Sequence, residues 1–150
     1  MSHHDDFERF RYYVLPFNQS GKLSIPLVVG TPTTIAQIRI HSDCNDVVSL
    51  LANVGWTALT NGTGLSSLNV LFKIWRGPAL TGLLVYSAID SSERGFDNNK
   101  LTTLAHVDKN FPFSEHYTYT LTAELVDAGS AATVIGPITF TATEIGLGEG

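Results

Sequence analysis

The sequence predicts an all-β chain, folded as an antiparallel two-sheet sandwich of jelly-roll type with about eight or nine strands. Three observations lead there. Turn-forming residues recur roughly every 8 to 15 positions. The stretches between them alternate apolar and polar side chains with period two. No window pairs a 3.6-residue hydrophobic period with the capping residues of a helix.

In order along the chain, residues 10–17 and 22–29 read as strands around the turn Asn18-Gln19-Ser20-Gly21. Over 34–42, Ala36, Ile38 and Ile40 share one face, and Gln37, Arg39 and His41 the other. Over 47–59, Val48, Leu50, Ala52, Val54 and Trp56 point one way, the pattern of a core strand. Asn61-Gly62-Thr63-Gly64 is a turn, because Gly and Asn tolerate positive φ at little cost.

Leu68, Val70, Phe72 and Ile74 then alternate with Asn69 and Lys73 until Gly77-Pro78 ends the run. Residues 82–90 form a further strand, Ser91 to Asn99 a polar loop, and 100–107 another extended stretch. Over 116–126, Tyr117, Tyr119, Leu121, Ala123 and Leu125 face inward, and Thr118, Thr120, Thr122 and Glu124 outward. Last, Ala132, Val134, Ile138, Phe140 and Ala142 alternate with Thr133, Thr139, Thr141 and Thr143. Gly136-Pro137 interrupts that strand and implies an edge or a bulge. The organisation expected is an N-terminal aromatic arm or first strand (1–18), a single β-sandwich domain (19–146) and a flexible tail (147–150).

Composition narrows the function. The chain has 150 residues, 43% hydrophobic and only 15% charged, against about 25% charged in ordinary soluble domains. With a net charge of −5 and no basic run beyond the neighbouring Arg9 and Arg11, it lacks the electrostatic footprint of a nucleic-acid binder. No apolar run approaches the roughly 18 residues that would span a bilayer as a helix. The start, Met1-Ser2-His3-His4-Asp5-Asp6, lacks the basic and apolar regions of a signal peptide. The single cysteine, Cys44, allows no intrachain disulfide.

Three clusters invite a chemical reading. His41-Ser42-Asp43-Cys44-Asn45-Asp46 gathers an imidazole, a thiol and two carboxylates, without the spacing of a known metal site. His106 and Asp108 share a strand face and can form a hydrogen-bonded pair, but no G-x-S-x-G elbow accompanies them. The loop from Asp90 to Asn99 is rich in oxygen ligands, yet it departs from the EF-hand pattern and carries Arg94 at its middle. A solvated turn, a structural hydrogen bond and a surface loop account for the three. The expectation is no catalytic residue, no metal and no cofactor. Asn18-Gln19-Ser20 and Asn61-Gly62-Thr63 fit the glycosylation pattern, and both also read as plain turns.

The first 17 residues hold five of the fifteen aromatics: Phe7, Phe10, Tyr12, Tyr13 and Phe17. A free terminus is normally polar and frayed, so this one docks. It does so either as the first strand of its own sandwich or by strand addition to a neighbouring subunit. Phe10, Tyr12, Val14 and Phe17 are the candidate assembly contacts. Trp56 is in phase with a core strand, whereas Trp75 shares the face of Lys73 and is the candidate exposed contact.

Several runs resemble the exosporium protein C family of spore-forming Bacillus relatives. They are Val54-Gly55-Trp56, Ala105-His106-Val107-Asp108, His116-Tyr117-Thr118-Tyr119-Thr120-Leu121-Thr122-Ala123-Glu124, and the stretch from Ala132 through Val134-Ile135-Gly136-Pro137-Ile138-Thr139-Phe140 to Ala142. The likeness extends over residues 20–145. It implies a structural component of the spore's outermost layer, with no catalytic residues to carry over. Such proteins are made in the mother cell and released on its lysis, so they need no signal peptide. Spore appendage subunits are also similar small jelly rolls, but their cysteine-rich N-terminal connectors have no counterpart here, and the aromatic arm is a departure from the family.

The function expected is a self-assembling structural subunit of a spore or cell surface layer or appendage, joined through edge strands and the N-terminal arm. Its partners would be copies of itself and other spore surface proteins, not nucleic acid or membrane. The alternative is a lectin-like carbohydrate-binding module, resting on Trp75 and the oxygen-rich loop.

Overall fold

A computed structural model describes residues 5–14, 18–59, 67–93 and 99–147. Among these residues there are nine strands: β1 (Asp5–Val14), β2 (Ile25–Pro26), β3 (Thr33–Ser42), β4 (Val47–Leu59), β5 (Ser67–Arg76), β6 (Leu83–Glu93), β7 (Asn99–Asp108), β8 (Glu115–Leu125) and β9 (Ala131–Leu147). Among the described residues there is no helix.

The strands form two antiparallel sheets. One runs β1-β9-β4-β7, with β2 also paired to β9, and the other runs β3-β8-β5-β6. From β3 onward the chain passes between the sheets at every connection except β5 to β6, so neighbours within a sheet are mostly distant in sequence. This is the jelly-roll order, two interleaved Greek keys in facing layers. β1 and β2 lie in succession along the same flank of β9, against residues 139–147 and 133–134. Together they act as one interrupted strand.

Period-two alternation builds the core directly. β4 places Val48, Leu50, Ala52 and Val54 inward, and β9 answers with Val134, Ile138, Phe140 and Ala142. Phe72 and Ile74 of β5, with Tyr119 and Leu121 of β8, face them from the opposite sheet, all fully buried. Burying each such side chain is worth about 1.5–3 kcal/mol, which explains why β4 and β9 keep one face in register across most of their length. Trp56 joins them at 0% exposure. Its indole N–H donates to Thr102 Oγ1 at 2.8 Å, so the ring is buried without a stranded donor.

Several boundaries differ from the sequence reading. The stretch 22–29 contracts to the two-residue β2, since Pro26 has no N–H to give a ladder and the chain turns at Gly30, where φ is +73°. The first strand, Asp5–Val14, begins before the expected residue 10, and residues 15–17 lie outside the described residues. β6 runs on to Glu93, into the stretch expected as loop, and β9 extends to Leu147, paired there with Asp5. The turn expected at 61–64 and the middle of the 91–99 loop lie outside the described residues.

Candidate interaction surface

Polar side chains close the seams between the sheets. At one seam Arg76 of β5 meets Asp108 of β7, Nε to Oδ2 at 2.9 Å and Nη2 to Oδ1 at 2.8 Å. The buried Tyr119 hydroxyl donates to the same Oδ2 at 2.6 Å. Phe111 and Tyr117 flank the guanidinium, their centroids 4.3 and 5.6 Å from its carbon. Burial works against the Arg76 charge, but the Asp108 hydrogen bonds and charge outweigh it and raise its pKa. Burial and then Asp108 raise the Tyr119 hydroxyl as well. This unit is a structural clamp. The expected His106–Asp108 pair is replaced by it, and His106 instead stacks on Tyr86 with centroids 5.1 Å apart.

At the opposite seam Arg9 of β1 donates to Glu144 Oε1 of β9 at 2.5 Å, and its Nη1 contacts His41 Nδ1 of β3 at 2.7 Å. The second Glu144 oxygen accepts the Asp43 N–H at 2.8 Å. Glu144 is fully buried at a position where the alternation of β9 demands an apolar residue. Burial pushes its pKa up, but the Asp43 N–H, a hydrogen bond shared with the Asp46 carboxyl group, and the Arg9 guanidinium outweigh this and hold it below the ordinary value of 4.5. One ligand atom each from His41, Asp43 and Glu144 lies within 4.8 Å of the others, the geometry of a cation site. The cation placed there is the Arg9 guanidinium. Sequence reasoning grouped His41 with Asp43 but missed Glu144, about a hundred residues away, because only the β1-β9 and β3-β9 contacts bring it in.

The two outer sheet faces differ in kind. The β3-β8-β5-β6 face bears Arg39, Lys73, Glu124 and His116, with Lys73 Nζ 2.8 Å from Glu124. Trp75 lies on this face as its phase predicts, but it is not an exposed contact: only 7% of it reaches solvent. Its cross-strand neighbour is the small Thr120, and its N–H donates to Thr122 Oγ1 at 3.0 Å. Thr120 and Thr122 are buried although they point outward, Thr122 against the indole N–H and Thr120 between Gln37 and the Gly77 carbonyl, and the Lys73 ammonium stands 5.6 Å from the ring centroid. With the ring covered, a sugar-stacking platform at Trp75 is lost.

The β1-β9-β4-β7 face has three rows that run unbroken across four strands. They are Phe10-Thr143-Ser49-Val107, Tyr12-Thr141-Leu51-Ala105 and Val14-Thr139-Asn53-Thr103. None of these residues carries a charge. Leu101 extends the face along β7, and Phe10 and Tyr12 stack with ring centroids 5.9 Å apart. The polar groups of the third row serve one another, Thr103 Oγ1 to Asn53 Oδ1 at 2.7 Å and Asn53 Nδ2 to Thr139 Oγ1 at 3.2 Å.

Of the expected assembly contacts, Phe10, Tyr12 and Val14 lie in this face, 46%, 67% and 46% exposed. Their strand is an edge strand of the chain's own sheet. Phe17 lies outside the described residues. The β9, β4 and β7 contributors went unrecognised in the sequence. Their outward phase was readable, but which strands adjoin them was not.

No family model matches the chain, and no curated protein matches it. Among solved structures it is similar to dimeric latent PorU from Porphyromonas gingivalis (14% identity, 94% of this chain and 13% of that one, TM-score 0.52). It is also similar to the infectious bursal disease virus Gx strain structure (13% identity, 97% and 40%, TM-score 0.49). A third is the VP2 subviral particle of the same virus (16% identity, 95% and 39%, TM-score 0.47). The chain spans 40% or less of the length of each of these. At such identities, the likeness to PorU is one of fold alone.

Proposed function

We propose that this protein is a structural subunit that assembles with copies of itself into a spore or cell surface layer or appendage of exosporium type. The observation that carries the reading is the outward row of β1, where Phe10, Tyr12 and Val14 hold apolar surface in water on an edge strand. Exposed apolar surface of this kind marks a contact site, and edge strands add a ladder of backbone groups ready to pair.

The spore-surface part of the reading is supported by the resemblance of Val54-Gly55-Trp56 and of the run from Val134 to Phe140 to the exosporium family. The buried polar groups described above are engaged in clamping the sheets together, a role that suits a building block.

Sedimentation velocity across a concentration series, with negative-stain microscopy of the same samples, tests the proposal. Concentration-dependent oligomers, filaments or sheets are expected. A single monomeric boundary at every concentration, with no assemblies on the grid, would refute it.

A further inference from the structure

We infer that the outer face of the β1-β9-β4-β7 sheet is an interface on which a second copy of this chain packs, sheet face against sheet face. The inference rests on the self-assembly proposed above and names the surface that performs it.

The first ground is charge. Each copy carries −5, so two copies repel, and they meet at least electrostatic cost through a face whose three rows bear no charge. A charged partner would find nothing on that face to pair with. A like face, by contrast, is self-compatible, because a two-fold axis brings the same neutral rows together with no like-charge clash.

The second ground is desolvation. The hydroxyl and amide groups of Thr103, Asn53 and Thr139 already bond to one another across the strands, so excluding water strands fewer of them. Leu51, Leu101 and Tyr12 supply exposed apolar area.

The third ground is size. Four strands about 4.8 Å apart and about ten residues long at about 3.3 Å per residue present a footprint of roughly 600 Å². That is of the order of the ~800 Å² each partner contributes to a stable interface. The small Thr, Ser and Ala side chains let two sheets approach to the ~10 Å of ordinary face-to-face packing.

The test places a charge in the face. Thr141→Lys sits in the central row, and Thr103→Lys lies at the more exposed β7 side, where folding is less at risk. Leu84→Lys, on the exposed β6 edge of the other sheet, is the control. Each is followed by sedimentation velocity, with circular dichroism and thermal melting as the check on folding. Expected is a weakening of self-association by at least about tenfold in both face variants, with wild-type association in Leu84→Lys. If folded Thr103→Lys associates like the wild type, the face is not the interface, although self-assembly stands. If the wild type is itself monomeric at every concentration, the assembly reading falls and takes this one with it. If Leu84→Lys alone abolishes association, the contact belongs to β6 and the inference is overturned.

Discussion

Gly55 of β4 lies directly against Gly136 of β9: a methyl group on Gly55 would stand 2.0 Å from the Gly136 carbonyl oxygen and 2.8 Å from the Pro137 nitrogen. At this point the β4-β9 register shifts between Val54 and Trp56. The two backbones close to a distance that leaves no room for Cβ. Gly136 itself holds φ at +81°, a region that favours glycine. The obstacle is backbone, so no rotamer change relieves it. Gly55→Ala is expected to lose about 3 kcal/mol, read as a lowered midpoint in urea unfolding. An unchanged midpoint would mean that the strands separate here at little cost.

Arg76 and Asp108 offer a second test. The pair crosses between the sheets and is nearly buried on both sides, with side chains 10% and 7% exposed. Removing the carboxylate leaves the guanidinium between Phe111 and Tyr117 with the Lys109 carbonyl, 2.8 Å from Nη2, and the Tyr119 hydroxyl as neutral partners. Asp108→Ala should therefore cost about 3–5 kcal/mol, against about 1 kcal/mol for Tyr119→Phe, which removes a neutral hydroxyl and leaves the ion pair in place. The double variant of Arg76→Met with Asp108→Leu, of similar volume and uncharged, should recover much of the first loss. Additive losses in the double variant would show that the two residues act independently.

Glu144 makes stability depend on pH in a definite direction. Its folded pKa lies below the ordinary 4.5, so the folded state holds the carboxylate in preference to the acid. The stabilisation is present above the unfolded pKa and is lost as pH falls through the folded one. The wild type should thus lose stability on acidification below about pH 4.5 more steeply than Glu144→Gln, whose side chain does not titrate. Arg9→Ala, removing the charge that helps hold the pKa down, should flatten the same slope. Parallel wild-type and Glu144→Gln curves between pH 6 and pH 3 in denaturant titrations would contradict this.

The outcome for each strand follows from the range of the forces that decide it. β4, β8 and β9 were readable because their period-two patterns are long and their inward residues large, so one face is strongly specified. β2 falls short of the strand expected over 22–29, since an apolar stretch around Pro26 has the composition of a strand without the donors to sustain one. The Arg9–Glu144 contact and the uncharged sheet face depend on strand order, and no local pattern encodes that β9 lies between β1 and β4. Of the candidate surface, only the β1 row is legible in the sequence, because five aromatics within 17 residues are conspicuous without knowing their neighbours.

Trp75 separates structural from interfacial roles most cleanly. Its phase is evident from Lys73, but its burial and its hydrogen bond to Thr122 depend on which strand pairs with β5, which no local pattern encodes. Trp75→Ala removes a large buried side chain and leaves Thr122 Oγ1 without the indole donor. The expected loss is about 3–5 kcal/mol. Because the ring is on the sheet opposite the uncharged face, self-association of the folded fraction should be unchanged. Thermal melting and sedimentation velocity on the same variant give both readings. Trp75→Phe should fall between, keeping much of the buried ring while losing the hydrogen bond, worth about 1 kcal/mol. A variant that melts like the wild type yet fails to associate would place Trp75 in an interface and contradict the burial that the indole shows.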